Sequence, residues 1–398
     1  MEFRFSEKEK QFRSEIRQFV KDNIPYERFG HKFEEEHDDD AWKFAMSISR
    51  KLAERKWLTI SWPEEWGGLG APLWQQAIFR EEVGYWGIPG TTMGISGVSW
   101  VGPSLMLFGT EEQKRKHLPL IASGDPDGVW CTGYSEPDSG TDLASLQTRA
   151  EKVGDEYIIN GQKVWTSCAH RARWFWLACR TKVDVEKKHQ GLSIIMVDMK
   201  SDGVKVQPIK NLVGQHTFNE VFLNDVRVPV TNLVGVENNG WSQLMTALSF
   251  ERGSSINYLG LHRRFRDELL IHARESGAMK KPEVREKLVE LSIGIETLRS
   301  LAYETMWKMD RGDKIVYEPS RDKAFSDAMH EKTTRIGLDL LNVYGMMDPL
   351  EKEAPWVKLN GALEHFYYAA PGLAVAAGTT YTQRNIVAQF GMQLPRSY

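Results

Sequence analysis

Apolar residues near the start of the chain recur with a helical period. In SEKEKQFRSEIRQFVKDNI, Phe12, Ile16, Phe19 and Val20 fall at i, i+4, i+7 and i+8, which is one face of a helix. Ser6, with Glu9 three positions on, predicts a capping box at its N-terminus. Roughly the first 125 residues keep this pattern. WPEEWGGLGAP (62–72) interrupts it, and its Pro and Gly residues mark a loop between helices.

From about residue 128 the period shortens to that of strands. EYIINGQKVWTS (156–167) holds Asn160-Gly161 between two β-rich runs, which predicts a hairpin turn at that dipeptide. WFWLACR (174–180), GLSIIMVDM (191–199), GVKVQPI (203–209) and NEVFLNDVRVP (219–229) extend the β region. After NNGW (238–241) the helical pattern returns through LRSLAYETMWKM, KTTRIGLDLLNVYG and the tail. The expected organisation is a helical domain over 1–127, a β domain over 128–238 and a helical domain over 239–398.

Composition places the chain among ordinary globular proteins: 398 residues, 41% hydrophobic and 26% charged, enough for a sizeable core. The net charge of -3 supplies no basic field for nucleic acid or an anionic membrane. The acidic run HKFEEEHDDD (31–40) reads as a solvated loop or helix edge. Cys131, Cys168 and Cys179 form no CxxC pair, which suits a reducing cytosol. The opening MEFRFSEKEKQF is too charged for a signal peptide, and no apolar run approaches the ~20 residues of a membrane span. A soluble, cytoplasmic protein is expected.

Familiar catalytic motifs are missing. No GxGxxG follows a strand, and GVENNGWS (235–242) carries Trp241 where a phosphate loop needs Lys. There is no HExxH, and the ten histidines show no ligand spacing, so no metal is expected; His365 reads as a packed or capping residue. Without GxSxG, serine hydrolase chemistry has no anchor. What remains is WCTGYSEPDSGTDLASLQTRA (130–150) and the KVWTS (163–167) strand end. The first offers hydroxyls at Ser135, Ser139 and Thr141, with Gly140 letting backbone amides approach an anion. The second offers Trp165 as a flat wall beside Ser167, as a planar ring ligand requires. Taken singly, each is equally a structural turn and a core tryptophan.

Taken together, SWPEEWGGLG, GYSEPDSGTD, GDEYIINGQKVWTS, NEVFLNDVRVP, GWSQLMTALSFER and GTTYTQRNIVA, in this order, resemble the acyl-CoA dehydrogenase family of flavoproteins over essentially the whole chain. The resemblance implies an α+β multi-domain fold: an N-terminal helical domain, a central β-barrel-like domain and a C-terminal four-helix bundle. It implies FAD as cofactor and acyl-CoA thioesters as substrates. On matching positions, Tyr134 and Ser135 would lie along the isoalloxazine ring, and Gly140 and Thr141 would hold the diphosphate, with Thr141 also near the substrate. Trp165 would cover one flavin face, Thr166 and Ser167 would reach the edge near N5, and Thr379 would approach from the tail. Gln383 and Arg384 match the family pattern and read as structural.

Family chemistry removes the proton α to the thioester while the β-hydride goes to flavin N5. The base is a carboxylate in a dry site, where desolvation raises its pKa, and hydrogen bonds from the flavin to the thioester carbonyl stabilise the developing enolate. Most members carry that Glu directly before the glycine of the tail motif, but AVAAGTTYTQR places Ala377 there. A smaller set carries it on a bundle helix in an ER dipeptide, which LSFERG matches. The resemblance therefore puts the catalytic base at Glu251, with Arg252 orienting the site or meeting the coenzyme A end. The small residues Ala376 and Ala377 hint at room for long, branched or bulky acyl groups.

The chain departs from the family at the clamp through which a neighbouring subunit grips FAD. Ser276 stands where an Arg is usual and Asp339 roughly where a Gln is usual; Arg274 or Lys280 are the nearby cations. A homotetramer or dimer of dimers is expected, with a mixed tetramer containing a related subunit as the alternative, as in members acting on steroid side chains. An electron-transfer flavoprotein would accept the electrons in lipid β-oxidation. The competing readings are a flavin monooxygenase of the same fold, which needs no α-proton base, and a non-catalytic FAD-binding subunit. A DNA-binding relative would need a basic stripe that this sequence lacks.

Overall fold

The computed structural model describes residues 5–25, 38–91, 96–249, 255–347 and 359–395. Five helices come first: α1 (Glu7–Asn23), α2 (Asp39–Glu54), α3 (Leu73–Trp86), α4 (Gly102–Phe108) and α5 (Glu111–Ala122). Eight strands follow: β1 (Trp130–Gly133), β2 (Arg149–Val153), β3 (Glu156–Ser167), β4 (Trp174–Arg180), β5 (Leu192–Asp198), β6 (Val204–Lys210), β7 (His216–Pro229) and β8 (Leu233–Val234). The chain closes with α6 (Gly240–Ser249), α7 (Ser255–Glu275), α8 (Pro282–Asp310), α9 (Glu318–Leu341), α10 (Ala362–Val375) and α11 (Thr380–Ile386). Two compact units result, one built from 1–32, 72–88 and 253–398, the other from 33–71 and 89–252.

In the first unit, α1 starts where the sequence indicates. The Ser6 hydroxyl accepts from the Glu9 N–H at 3.3 Å and the Glu9 carboxylate accepts from the Ser6 N–H at 2.5 Å, a capping box. Phe12, Ile16, Phe19 and Val20 are buried on one face. Beside them Arg13 reaches Glu81 at 2.7 Å and Glu82 at 2.5 Å. Arg263 of α7 pairs with Glu81, and Tyr303 of α8 donates to it at 2.6 Å, so one buried carboxylate ties four helices. Helices α7, α8, α9 and α10 pack on one another. In their interior His262 and His330 share a hydrogen bond of 3.0 Å, and Thr333 meets the other nitrogen of His262 at 2.8 Å.

The second unit holds an eight-stranded sheet in the order β6-β7-β3-β2-β4-β5-β8, with β1 pairing parallel to β4. WFWLACR is apolar without alternation because β4 is covered on both sides. Trp174, Trp176 and Ala178 join one core, and Phe175, Leu177 and Cys179 join the other. Acidic residues at 38–40 begin α2, where the Asp38 carboxylate accepts from the Asp40 and Ala41 N–H groups; 31–37 lie outside the described residues.

The expected turn at Asn160-Gly161 is not formed. β3 runs straight through the dipeptide, and the chain reverses instead at Gly154-Asp155, between the Val153↔Glu156 pair of β2 and β3. Asn160 is held across the sheet: its side chain donates to Asp225 at 2.9 Å and accepts from the Asp225 N–H at 2.8 Å. Gly161, at φ 152, sits where the β3–β7 register shifts, so the glycine serves an irregularity inside a paired strand. Among the described residues, no helix is long and apolar enough to cross a membrane, and no group of three or more His, Cys, Asp or Glu could hold a metal.

Candidate functional site

The end of β3 carries the most distinctive local geometry. Lys163 pairs with Val221 and Thr166 with Asn219, so three steps on β3 match two on β7, a β-bulge at Val164–Trp165. Period-2 alternation sends Tyr157, Ile159 and Lys163 inward, and continued regularly it would bury Trp165 as well. The bulge reverses this. Trp165 adopts a left-handed φ of 59° and turns outward, 59% exposed, with its ring edge-on to Phe218 at 6.0 Å. It is not a core tryptophan. Thr166 turns inward, and its hydroxyl oxygen is buried with no hydrogen-bond partner among the described residues.

Facing this strand end is the loop that leaves β1. The Val164 N–H donates to the Ser135 carbonyl at 3.0 Å. Lys163, wholly buried, donates to the Tyr134 carbonyl at 3.1 Å and to the Glu136 carboxylate at 2.7 Å. The same carboxylate accepts from the N–H groups of Gln147 at 2.6 Å and Thr148 at 2.8 Å. Burial pushes the Glu136 carboxyl up, but the Lys163 ammonium and the hydrogen bonds to its oxygens outweigh that and hold it below the usual carboxylate range. Burial in turn lowers Lys163 against the pull of Glu136. Neither residue belongs to a recognisable catalytic motif; the mark the sequence carries is that Lys163 falls on the inward parity of a β-rich run.

Farther along the loop, Glu136 and Ser139 exchange backbone hydrogen bonds at 2.9 and 3.0 Å, and the Ser139 hydroxyl donates to the Asp142 carbonyl at 2.7 Å. Gly140 and Thr141 are exposed, and a Cβ built at Gly140 meets no atom within 4 Å. Internal packing therefore does not demand that glycine, and its backbone is open to a ligand. Arg180 fixes the far end of the loop by donating to the carbonyls of Ala144 at 2.9 Å and Leu146 at 3.2 Å.

Asn219, fully buried on β7, was also missed. Its amide nitrogen donates to the Thr166 carbonyl at 3.0 Å and meets His170 Nδ1 at 3.2 Å, while its oxygen meets His216 Nε2 at 2.6 Å. The two imidazoles stack at 3.8 Å. The Thr166 carbonyl can only accept, so it fixes the orientation of the Asn219 amide; His170 Nδ1 then accepts and His216 Nε2 donates.

Tyr134, Ser135, Gly140, Thr141, Trp165, Thr166 and Ser167 thus lie on one loop and one strand end that are bonded to each other. An outward aromatic face, an inward unpaired hydroxyl and an open glycine suit a planar ring carrying a phosphate tail, so the residues present fit a flavin nucleotide. Thr379 belongs to the helical unit, where its hydroxyl caps α11 by accepting from the Thr382 N–H at 3.1 Å. Gln383 donates to the carbonyls of Ala377 at 3.0 Å and Gly378 at 3.3 Å, a structural contact. The Ser276 hydroxyl donates to its own helix at the His272 carbonyl, and the Asp339 carboxylate pairs with Lys287 at 2.8 Å. Glu251 and Arg252 lie outside the described residues.

Comparison with known proteins bears on the whole chain. Family models described as acyl-CoA dehydrogenase N-terminal, middle and C-terminal domains match residues 6–125, 131–226 and 238–392. The acyl-CoA dehydrogenase IpdE1 of Mycobacterium tuberculosis is 33% identical over 394 residues, covering 97% of this chain and 98% of that protein. Among solved structures, a chain described as "Tcur3481-Tcur3483 steroid ACAD" superposes with a TM-score of 0.90 at 32% identity, covering 100% of both chains. A chain of the ChsE4-ChsE5 complex from Mycobacterium tuberculosis superposes with a TM-score of 0.86 at 29% identity, again over 100% of both.

Proposed function

The chain belongs to the acyl-CoA dehydrogenase family of oxidoreductases, and from that premise we propose that it binds FAD and dehydrogenates an acyl-CoA to its trans-2-enoyl-CoA. The observation that carries this reading is the bulged end of β3, which turns Trp165 outward and the unpaired Thr166 hydroxyl inward beside the Gly140–Thr141 loop. Tyr134, Ser135, Trp165, Thr166 and Ser167 would hold the ring system, and Gly140 and Thr141 the diphosphate; Thr379 is assigned to the cofactor through the family resemblance of the tail. Bound FAD would supply the two-electron acceptor for the hydride leaving the β-carbon. Glu251 takes the proton from the α-carbon onto its carboxylate, and a dry surrounding raises its affinity for that proton. Arg252 orients the site or meets the coenzyme A end, and Thr141 also faces substrate. The domain boundaries at 127/128 and 238/239, a cytoplasmic location and an electron-transfer flavoprotein as acceptor belong to the same reading.

A second reading concerns substrate and assembly: a bulky, steroid-type acyl-CoA handled in a mixed tetramer. Full-length matches to chains described as a steroid acyl-CoA dehydrogenase and as part of a two-protein complex support it. So does the engagement of Ser276 with its own helix and of Asp339 with Lys287 on α8, since neither position presents a cation to a neighbour's phosphate.

Anaerobic mixing of the purified protein with linear, branched and steroid-bearing acyl-CoAs tests both. Bleaching of bound flavin by one of them supports dehydrogenation, and Glu251→Gln should abolish the bleaching while FAD stays bound. Unchanged oxidation in that variant would remove Glu251 as base. Full FAD occupancy and turnover by the chain alone would count against the mixed assembly.

A further inference from the structure

Resting on the FAD reading above, we propose that the buried Lys163–Glu136 ion pair is a positioning device, setting the Tyr134–Thr141 loop against the bulge that turns Trp165 and Thr166. Lys163 is wholly buried and Glu136 nearly so, and both lie one or two positions from residues assigned to the cofactor. Their bonds are shared out in a particular way. Lys163 joins β3 to the Tyr134 carbonyl, and Glu136 joins the same lysine to the amides of Gln147 and Thr148, which lead into β2. Three segments therefore meet at one charge pair, immediately before the register shift between Lys163 and Thr166.

Stability is a poor explanation for such a pair. Two charges removed from water lose about as much hydration as their attraction returns, and apolar replacements of equal volume are often neutral or stabilising. A packed methionine could fill the space of Lys163, but it could not hold the Tyr134 carbonyl at a set distance. Direction is what the charges add. The loop carries its cofactor contacts on backbone amides and short hydroxyls, and these bind only if the backbone is already in place.

The test is the double variant Lys163→Met/Glu136→Gln, which removes both charges and nearly keeps the shape. It is expected to fold with a modest loss of urea stability, from the Tyr134 carbonyl left without its donor, to bind FAD about tenfold or more weakly, and to show a shifted flavin absorption band. Hydrogen exchange should speed up at the amides of 134–148 and stay unchanged in β4 and β5. Glu136→Gln alone keeps one acceptor oxygen and should move the same readouts less, which covers a double variant that fails to fold. Wild-type affinity and an unshifted band in a folded variant would overturn the proposal. A wild-type chain that takes up no FAD would instead overturn the functional reading, and unchanged exchange across 134–148 would then still overturn the anchoring.

Discussion

Asn219 donates its side-chain amide to the Thr166 carbonyl at 3.0 Å, directly across the β3–β7 ladder and one residue beyond the outward Trp165. The bond closes the bulge on the side opposite Lys163. Asn219→Leu keeps the volume and removes the donor and the acceptor together. It should lower unfolding stability by about 2–3 kcal/mol, because the Thr166 carbonyl and the His216 N–H lose this buried partner. Asn219→Asp keeps the acceptor for His216 but sets an oxygen against the Thr166 carbonyl, so it should loosen cofactor binding as much as the leucine does. Urea unfolding and FAD titration of the two variants would check this; an aspartate variant with wild-type FAD affinity would contradict it.

Thr166→Val should separate stability from function. The hydroxyl is buried with no partner among the described residues, so an isosteric methyl removes an unmatched polar group and should raise the stability of the cofactor-free protein by ~1 kcal/mol. FAD affinity should move the other way. Thermal unfolding without cofactor, paired with FAD titration, reads both signs, and a valine variant less stable than wild type would mean that the hydroxyl is already satisfied within the protein.

Ala377 takes a left-handed φ of 54° just before Gly378 at φ 85°. A side chain in that conformation costs ~1–2 kcal/mol per residue, while glycine gives back ~0.5–1 through its larger unfolded-state entropy. Ala377→Gly should therefore stabilise slightly, by roughly 0.5–1 kcal/mol, and leave acyl-CoA oxidation unchanged, since alanine has no group to accept a proton. Denaturation midpoints and flavin bleaching rates measure the two halves of that expectation.

What the sequence made legible was local. The Ser6–Glu9 capping box needs only four residues, and the continuous apolar run of β4 reports burial on both faces regardless of its neighbours. Asn160-Gly161 misled because turn propensity is overridden when a strand is paired on both sides, and here the side chain of Asn160 finds Asp225, 65 positions away. The site behaves the same way. Loop and strand end could be singled out from residue types, but the direction of Trp165 depends on a register shift set by β7. Lys163 meets Glu136 27 positions away, and Asn219 meets Thr166 53 positions away. Such pairings leave only a weak local mark, a charged or amide residue at an inward strand position.

Acid should weaken the helical unit well before its carboxylates protonate. Burial holds His262 neutral, pushing it down to about 3, and lowers His330 in the same way, with the neighbouring His262 adding to the effect. An unfolded chain titrates its histidines near ~6.5, so below ~6.5, and for His262 down to about 3, the unfolded state binds protons that the folded state refuses. Their contribution is thus complete above ~6.5 and is lost as pH falls through that window, by up to ~1.4 kcal/mol per pH unit for each histidine. Glu81 acts later. Burial raises its carboxyl, but Arg13 and Arg263 outweigh this and leave it below the usual range, so its contribution starts to fall only as pH drops below the unfolded value of ~4.3. His262→Phe should lower stability at pH 7, because His330 and Thr333 lose a partner, yet flatten the decline between pH 6 and 5 by about one proton, ~1.4 kcal/mol per pH unit. Glu81→Gln should leave that decline intact and change the slope only below about pH 4.5. Urea unfolding at half-unit pH steps separates the two, and an unaltered slope between pH 6 and 5 in His262→Phe would show that the buried imidazole does not govern it.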